Sequence, residues 1–258
     1  MANRRAVVTG ASSGIGAAAV RALRQSGWDV VGVARRADRL ERLAAETGAS
    51  VFAADLTSQA DVDALAAHLA QSGDLHALVH VAGGARGADR VEDGDPADWT
   101  WMYEVNVLSA QRLVSALLPQ LRSSIREGAG HADTLFVTST AAQTAYPGGS
   151  GYNAAKAGES MLVNALRQEL NGEPIRVVEI APGLVHTEEF SLNRLGSKEA
   201  ADRVYADVEA PLVAADVADV IAYALNAPGH VNLDLVTMRP VAQSAQHLLA
   251  RGPLTPRG

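Results

Sequence analysis

Thr9-Gly10-Ala11-Ser12-Ser13-Gly14-Ile15-Gly16 lies between an apolar run over 6–9 and an amphipathic stretch over 16–26. Glycines at positions 10, 14 and 16 allow a tight turn from strand to helix and a close approach of backbone to a ligand. A helix that opens on such a turn presents free N–H groups and the positive end of its dipole, which suits a phosphate or pyrophosphate. The spacing is G-x-x-x-G-x-G. It is neither G-x-G-x-x-G nor a P-loop, because no Lys-Ser/Thr follows.

Outward from that turn, apolar runs recur over 29–34, 50–54, 77–81, 134–139, 175–180 and 231–238. Most are nearly continuous rather than alternating, as strands covered on both faces require. Stretches of helical period stand between them over 60–70, 99–122, 152–171 and 216–226. Repeated strand–helix–strand units with right-handed crossovers predict an α/β fold. It is a doubly wound parallel sheet of about seven strands with helices on both faces. No repeat or linker divides the chain, so a single domain over 1–258 is expected. Residues 186–212 fit no strand and read as a partly helical lid over the pocket. Residues 240–258 carry Gly252, Pro253 and Pro256 and read as a fraying tail.

Composition removes several classes of function. With 48% hydrophobic and 20% charged residues, wholesale disorder is excluded. The formal net charge is −7 and no basic run occurs, which opposes nucleic acid as a partner. The absence of Cys excludes disulfides, thiolate metal sites and cysteine nucleophiles. None of the seven His residues belongs to an H-E-x-x-H motif, so no metal is expected. No stretch approaches the ~20 apolar residues that span a bilayer. A strand-like run beginning by Arg5 leaves no room for a secretory signal, so a cytoplasmic protein without a membrane partner is expected.

The end of the second predicted strand indicates which nucleotide fits. Val30-Val31-Gly32-Val33-Ala34 runs into Arg35-Arg36, with no carboxylate at its tip to hold a ribose 2′-hydroxyl. Two guanidiniums can grip a 2′-phosphate through charge-assisted hydrogen bonds, which points to NADP(H) over NAD(H).

Tyr152 and Lys156 are four apart at the start of a predicted helix, so phenol and ammonium share a face. An ammonium nearby lowers a phenol's pKa from about 10, which suits Tyr152 to proton transfer with a carbonyl or alcohol oxygen. Ser139, at the end of the run over 134–139, can polarise the same carbonyl. Asn106 falls inside the helical stretch over 99–122, where Asn is mildly unfavourable. After the run over 175–180, Pro182-Gly183-Leu184-Val185-His186-Thr187 would present the Val185 N–H and Thr187 to a nicotinamide carboxamide. Ser150, just before Tyr152, reads as the helix N-cap.

Taken in order, T-G-x-x-x-G-I-G (Thr9 to Gly16), Asp55-Leu56, Ala82-Gly83, Asn106, Ser139, Tyr152/Lys156 and Pro182-Gly183 with Thr187 span roughly residues 5–190. In this set the chain resembles the short-chain dehydrogenase/reductase family. The resemblance implies a Rossmann-type fold and an oxidoreductase that transfers hydride between NADP(H) and a small carbonyl or alcohol substrate. It makes Tyr152 the acid/base, Ser139 the group that orients the carbonyl, and Lys156 the ligand of the nicotinamide ribose that also lowers the phenol pKa. Asn106 would hold a relay water. Gly10, Ser12, Ser13, Gly14, Ile15 and Gly16 would form the cofactor turn. Asp55 and Leu56 would face the adenine, and Ala82-Gly83 would line the adenosine side. A homo-oligomer, tetramer or dimer, is implied.

The segments Ala181–Val185, Glu189-Phe190-Ser191, Pro228–Asn232 and Met238–Ser244 are similar to the bacterial NADP-dependent 3-hydroxy acid dehydrogenases, which implies a small polar substrate. One departure stands out. The family's usual Asn-Asn-Ala-Gly is His80-Val81-Ala82-Gly83 here, and His80 reads as a packed structural side chain that takes over part of the lost bonding. The rival reading is a nucleotide-binding regulator without turnover, a class that often loses the Tyr/Lys pair retained here.

Overall fold

The strands Arg5–Thr9 (β1), Asp29–Ala34 (β2), Ser50–Ala53 (β3), Ala77–His80 (β4), Ala132–Val137 (β5), Ile175–Pro182 (β6) and Leu235–Met238 (β7) form one sheet. The computed structural model describes residues 4–256. The strand order is β3-β2-β1-β4-β5-β6-β7, and every pairing is parallel. The order reverses between β1 and β4, so a crevice opens at their carboxyl ends. The glycine turn and residues 81–84 both lie there.

The near-continuous apolar strands are explained by a core on each face. In β1, Ala6 and Val8 pack on one side and Val7 on the other. Helices Gly14–Gln25 (α1), Ala37–Thr47 (α2) and Ala214–Asn226 (α9) cover the first side. Leu23 of α1 meets Ile221 and Leu225 of α9 in that cluster. Helices Gln59–Gln71 (α3), Ser109–Ser124 (α5) and Ser150–Glu169 (α6) cover the second. Leu65 and Leu69, Leu113, Leu117 and Leu121, and Val163 and Leu166 recur at three- and four-residue spacing and make one stripe per helix.

Several elements depart from the sequence reading. Helix α2 was not marked by periodicity, because only Leu40 and Leu43 are buried on an otherwise charged helix. Strand β5 ends at Val137, and Ser139 instead caps a 3-10 turn over Thr140–Ala142. The stretch over 99–122 is helix Pro96–Tyr103 (α4), then a π-turn over Glu104–Leu108, then α5. Helix α6 begins at Ser150, with Gly149 rather than Ser150 at the N-cap.

Residues 186–212 are partly helical, but His186 and Leu212 at the two ends belong to strands, against the reading that the segment fits no strand. Phe190–Leu195 (α7) and Lys198–Tyr205 (α8) lie between the two-residue strands Val185–His186 and Leu212–Val213, which pair with each other. The tail is more ordered than a fraying end. Gln243–Ala245 and Leu248–Leu249 form a hairpin, Ala242 and Gln243 are buried, and Gly252 N donates to Asp207 O. A glutamine side chain facing the β6 loop holds it in place, as Leu184 N donates to Gln243 Oε1 at 2.8 Å. Residues 257–258 of the predicted tail lie outside the described residues. No helix among the described residues is long and apolar enough to cross a membrane.

Candidate active site

Helix α6 sets the chemistry. Its first turns carry Tyr152 and Lys156 on the face turned to the sheet, 8% and 4% exposed. Phe190 of α7 meets the Tyr152 ring edge-on at 5.6 Å. Lys156 Nζ donates to Val137 O at 3.2 Å and to Glu159 Oε2 at 2.7 Å. Ser139 Oγ accepts from Ala141 N at 3.0 Å, and its hydroxyl acts on the Tyr152 phenol. Phenol, hydroxyl and ammonium, far apart in the chain, therefore converge beyond the ends of β5 and β6.

The phenol's environment differs from expectation. Burial pushes the Tyr152 phenol above its ordinary value, Lys156 and Ser139 pull it down, and Tyr146 and Glu159 add to the rise. Lys156 acts in the expected direction, but burial outweighs it. Burial alone would depress Lys156, yet Glu159, Tyr152 and Glu179 together hold it above the usual lysine value.

Asn106 sits fully buried in the π-turn. Its Oδ1 accepts from Gly84 N at 3.2 Å, and its Nδ2 donates to Gly84 O at 2.9 Å and Met102 O at 2.7 Å. One side-chain N–H thus anchors the loop after β4, and the other bonds one turn back to α4. This side chain is a loop clamp. Gly83 adjoins it: a Cβ there would come 2.5 Å from Asn106 Oδ1 and 3.3 Å from Lys156 Nζ.

On the nucleotide side, Gly10 has φ +67, and a Cβ at Gly16 would run into the Gly10 carbonyl. The first turn of α1 carries no acid, and its N-cap Ser13 makes no side-chain cap bond, so the helix end faces the crevice open. Thr187 closes over the same turn, its methyl 3.5 Å from where a Gly14 Cβ would stand. Gly183 N donates to Met238 O, which fixes the Pro182-Gly183 bend ahead of Val185. Ile15 packs partly buried against the core, as does Ala82 on the other face, while Leu56 is buried there.

Asp55 accepts from Thr57 N and Thr57 Oγ1 at 3.0 and 2.8 Å. Burial opposes its charge, but these bonds and nearby Arg35 hold its carboxyl below the usual range. Arg35 is exposed and has no hydrogen-bond or ion-pair partner among the described residues.

Arg36 is already engaged with an anion. Its guanidinium takes Glu189 at 2.8 and 2.9 Å and donates to Ser12 and Ser13 hydroxyls. Arg39 joins the same carboxylate at 2.5 Å. The Arg36 guanidinium holds the Glu189 carboxyl down at about 2. Nothing in the local sequence marked Arg39 or Glu189 as members of this cluster, because they come from opposite sides of the crevice.

His80 replaces the family's usual Asn. Thr9 Oγ1 accepts from Val81 N and Ala82 N, both at 3.0 Å, so its proton faces His80 Nδ1 at 3.1 Å. The ring therefore carries its own proton on Nε2. That nitrogen is buried without a partner among the described residues, and burial, helped by Lys156, lowers the ring's pKa to about 3. A neutral, packed His80 agrees with its reading as a structural side chain.

Above Tyr152 a small cavity is lined by Arg86, Trp99, Met102, Gly149, Tyr152 and Arg194. Arg194 of α7 lies 5.7 Å over the Tyr152 ring. It donates to Gly87 O, Tyr146 Oη and Gly148 O and has no ion-pair partner among the described residues. The sequence carried no signal for Arg194, since only the fold of α7 brings it over the phenol.

The short chain dehydrogenase family model matches residues 4–195. An uncharacterized oxidoreductase of Mycobacterium tuberculosis is 48% identical over 97% of this chain and 96% of its own length. A serine 3-dehydrogenase of Agrobacterium fabrum is 36% identical over 92% of this chain and 94% of its own. Among solved structures, the closed form of serine dehydrogenase complexed with NADP+ superposes with a TM-score of 0.88. It is 30% identical and covers 96% of this chain and 99% of its own. With its seven-stranded parallel sheet and a Tyr–Ser–Lys set at the carboxyl edge, the chain belongs to the short-chain dehydrogenase family of oxidoreductases.

Proposed function

We propose that this protein is an NADP(H)-dependent oxidoreductase that interconverts a carbonyl and a hydroxyl on a small anionic substrate of the 3-hydroxy acid or semialdehyde class. The observation that carries the reading is the convergence of Tyr152, Ser139 and Lys156 beside the crevice into which the glycine turn and Arg36 also face. The residues present fit the nucleotide. Backbone takes the space that Cβ atoms at Gly10 and Gly16 would fill, and the Glu189 carboxylate stands on Arg36 and Ser13 as a surrogate anion.

Gly10, Gly14 and Gly16 with the α1 N-terminus, including Ile15, would hold the pyrophosphate. Arg35, Arg36, Ser12 and Ser13 would hold the 2′-phosphate. Asp55 and Leu56 would meet the adenine, Ala82 and Gly83 the adenosine side, Lys156 the nicotinamide ribose, and Pro182, Gly183, Val185 and Thr187 the carboxamide. When bound, the nucleotide gives hydride to, or takes it from, the substrate carbon. The Ser139 hydroxyl donates to the substrate oxygen and holds it toward the phenol. Tyr152 gives that oxygen a proton in reduction and its phenolate removes one in oxidation, while the Lys156 charge stabilises the phenolate. Asn106 keeps the loop behind Lys156 in place.

Residues 186–212 act as the lid. Arg194, from that lid, supplies the charge that recognises the substrate's acid group. The similarity to a serine 3-dehydrogenase, whose named substrate bears a carboxylate, supports the choice. Copies of the chain meet through the α4–α6 side, where Tyr103 and Met161 are exposed, and sedimentation velocity reads the oligomer.

The test is a panel of hydroxy acids with NADP+ and of semialdehydes with NADPH, each beside a neutral analogue of equal size. Turnover is expected for acids. Arg194→Ala is expected to raise KM for acids by roughly tenfold or more, the loss of a charge-assisted hydrogen bond, and to leave neutral analogues nearly unchanged. Equal losses on both would remove the acid-recognition role. Nucleotide binding without turnover on any member would favour the regulator reading.

A further inference from the structure

Glu159 has no part in the mechanism above, yet it lies in the core beneath it. It follows Lys156 by three residues on α6 and has 0% exposure. Its Oε2 takes Lys156 Nζ at 2.7 Å, and its Oε1 is buried with no hydrogen-bond partner among the described residues. A buried carboxyl with one unsatisfied oxygen is costly, and a side chain that adds only packing at this position would be apolar.

The groups around it come from several elements. On α6, Lys156 holds it directly and Tyr152 stands beyond Lys156. From β6 comes Glu179, 1% exposed, whose Oε1 accepts the Thr138 hydroxyl at 2.7 Å. From β4 comes His80, which stays neutral. The end of β5 offers the Val137 carbonyl, and the π-turn offers the neutral Asn106. A single ammonium thus faces two buried carboxyls. Burial, with Glu179 adding to it and Lys156 opposing, raises Glu159 to about 7.

We propose that Glu159 is a positioning residue that counterbalances the Lys156 charge and so keeps Tyr152 in its phenol form, biasing the site toward protonating a carbonyl. The inference rests on Tyr152 as the acid/base. An ammonium near a phenol favours the phenolate; a carboxylate bonded to that same ammonium cancels much of the effect at the phenol. The sign follows from the order of titration. Glu159 loses its proton first, so over the whole alkaline range where phenolate forms, the carboxylate is charged and opposes it. Lys156 keeps one N–H beyond those bonded to Glu159 and Val137, on the side of Gly83.

Glu159→Gln removes the charge and keeps the shape. In alcohol oxidation the pH at which activity rises is expected to fall by about one unit, and in carbonyl reduction the alkaline loss is expected to move down equally. Glu159→Asp, which keeps the charge, is expected to restore the profile toward that of the original protein. A second readout needs neither substrate nor turnover: 13C NMR of protein labelled at Glu Cδ and Tyr Cζ. One carboxyl should titrate near neutrality and vanish in Glu159→Gln, where the Tyr152 resonance should titrate at lower pH. The proposal is overturned by a Glu159→Gln profile that superimposes on the original, by a shift shared equally with Glu159→Asp, or by a Glu159 carboxyl that keeps its proton through the range in which the Tyr152 resonance titrates. If the variant does not fold, the carboxyl titration of the unmodified protein still decides. Normal NMR titrations with no turnover would sink only the acid/base reading of Tyr152.

Discussion

Tyr152 shows how strongly one side chain depends on its surroundings. Its phenol is nearly sealed by Phe190 and sits between a hydroxyl that favours its ionisation and a core that opposes it. Tyr152→Phe retains the ring packing and removes only the proton-bearing oxygen. Turnover is expected to fall by about 10²–10⁴-fold, while NADPH affinity, followed by fluorescence titration, hardly changes. An unchanged rate would place proton transfer elsewhere. The pairing of Tyr152 with Lys156 was readable from four-residue spacing, and Ser139 from its place after a strand. The balance of charges on the phenol was not readable, because it depends on desolvation and on Glu159, Glu179 and Tyr146.

At the scale of elements, the β2–α2 corner and the excursion over 186–212 act on each other. Arg36 begins the corner and Glu189 ends the loop before α7, and they bond in a bidentate geometry reinforced by Arg39. A phosphate seeking Arg36 must displace that carboxylate. Glu189→Gln is therefore expected to tighten NADPH several-fold and leave NADH nearly unaffected, since a neutral amide competes weakly for a guanidinium. Arg35→Ala with Arg36→Ala is expected to weaken NADPH far more than NADH. Isothermal titration with both nucleotides checks the pair of expectations, and equal effects on the two would refute the 2′-phosphate role. The Arg-Arg step was visible in sequence at the strand tip. Its occupation by a residue more than 150 positions later was not.

For the whole molecule, the end of the sheet away from the crevice ties β5, β6 and the end of α9 together. Arg176 of β6 bonds Asp133 of β5 at 2.6 Å, both nearly inaccessible, and also donates to the carbonyls of Leu225 in the last turn of α9 and of Ala227 just after it. Asp133→Ala leaves that guanidinium buried and unpaired. Stability is expected to fall by about 3–5 kcal/mol in urea unfolding, with nucleotide affinity kept under folding conditions, because the crevice lies at the other end of the strands. A loss below about 1 kcal/mol would show that the pair is well replaced by solvent.

Local chemistry determined a good deal without any structure. Short continuous apolar runs suit strands covered on both faces, glycines at 10, 14 and 16 allow a tight turn against backbone, and a phenol four residues before an ammonium shares its side of a helix. These properties depend on neighbours in sequence, so the sheet and the Tyr–Ser–Lys set were legible. The π-turn at Asn106, the ordered tail latched by Gln243, the tautomer of His80, Arg194 over the phenol and the carboxyl beneath Lys156 were decided by the tertiary structure alone. Each depends on atoms distant in the chain brought within bonding reach and on the exclusion of water, and neither quantity is written in local pattern.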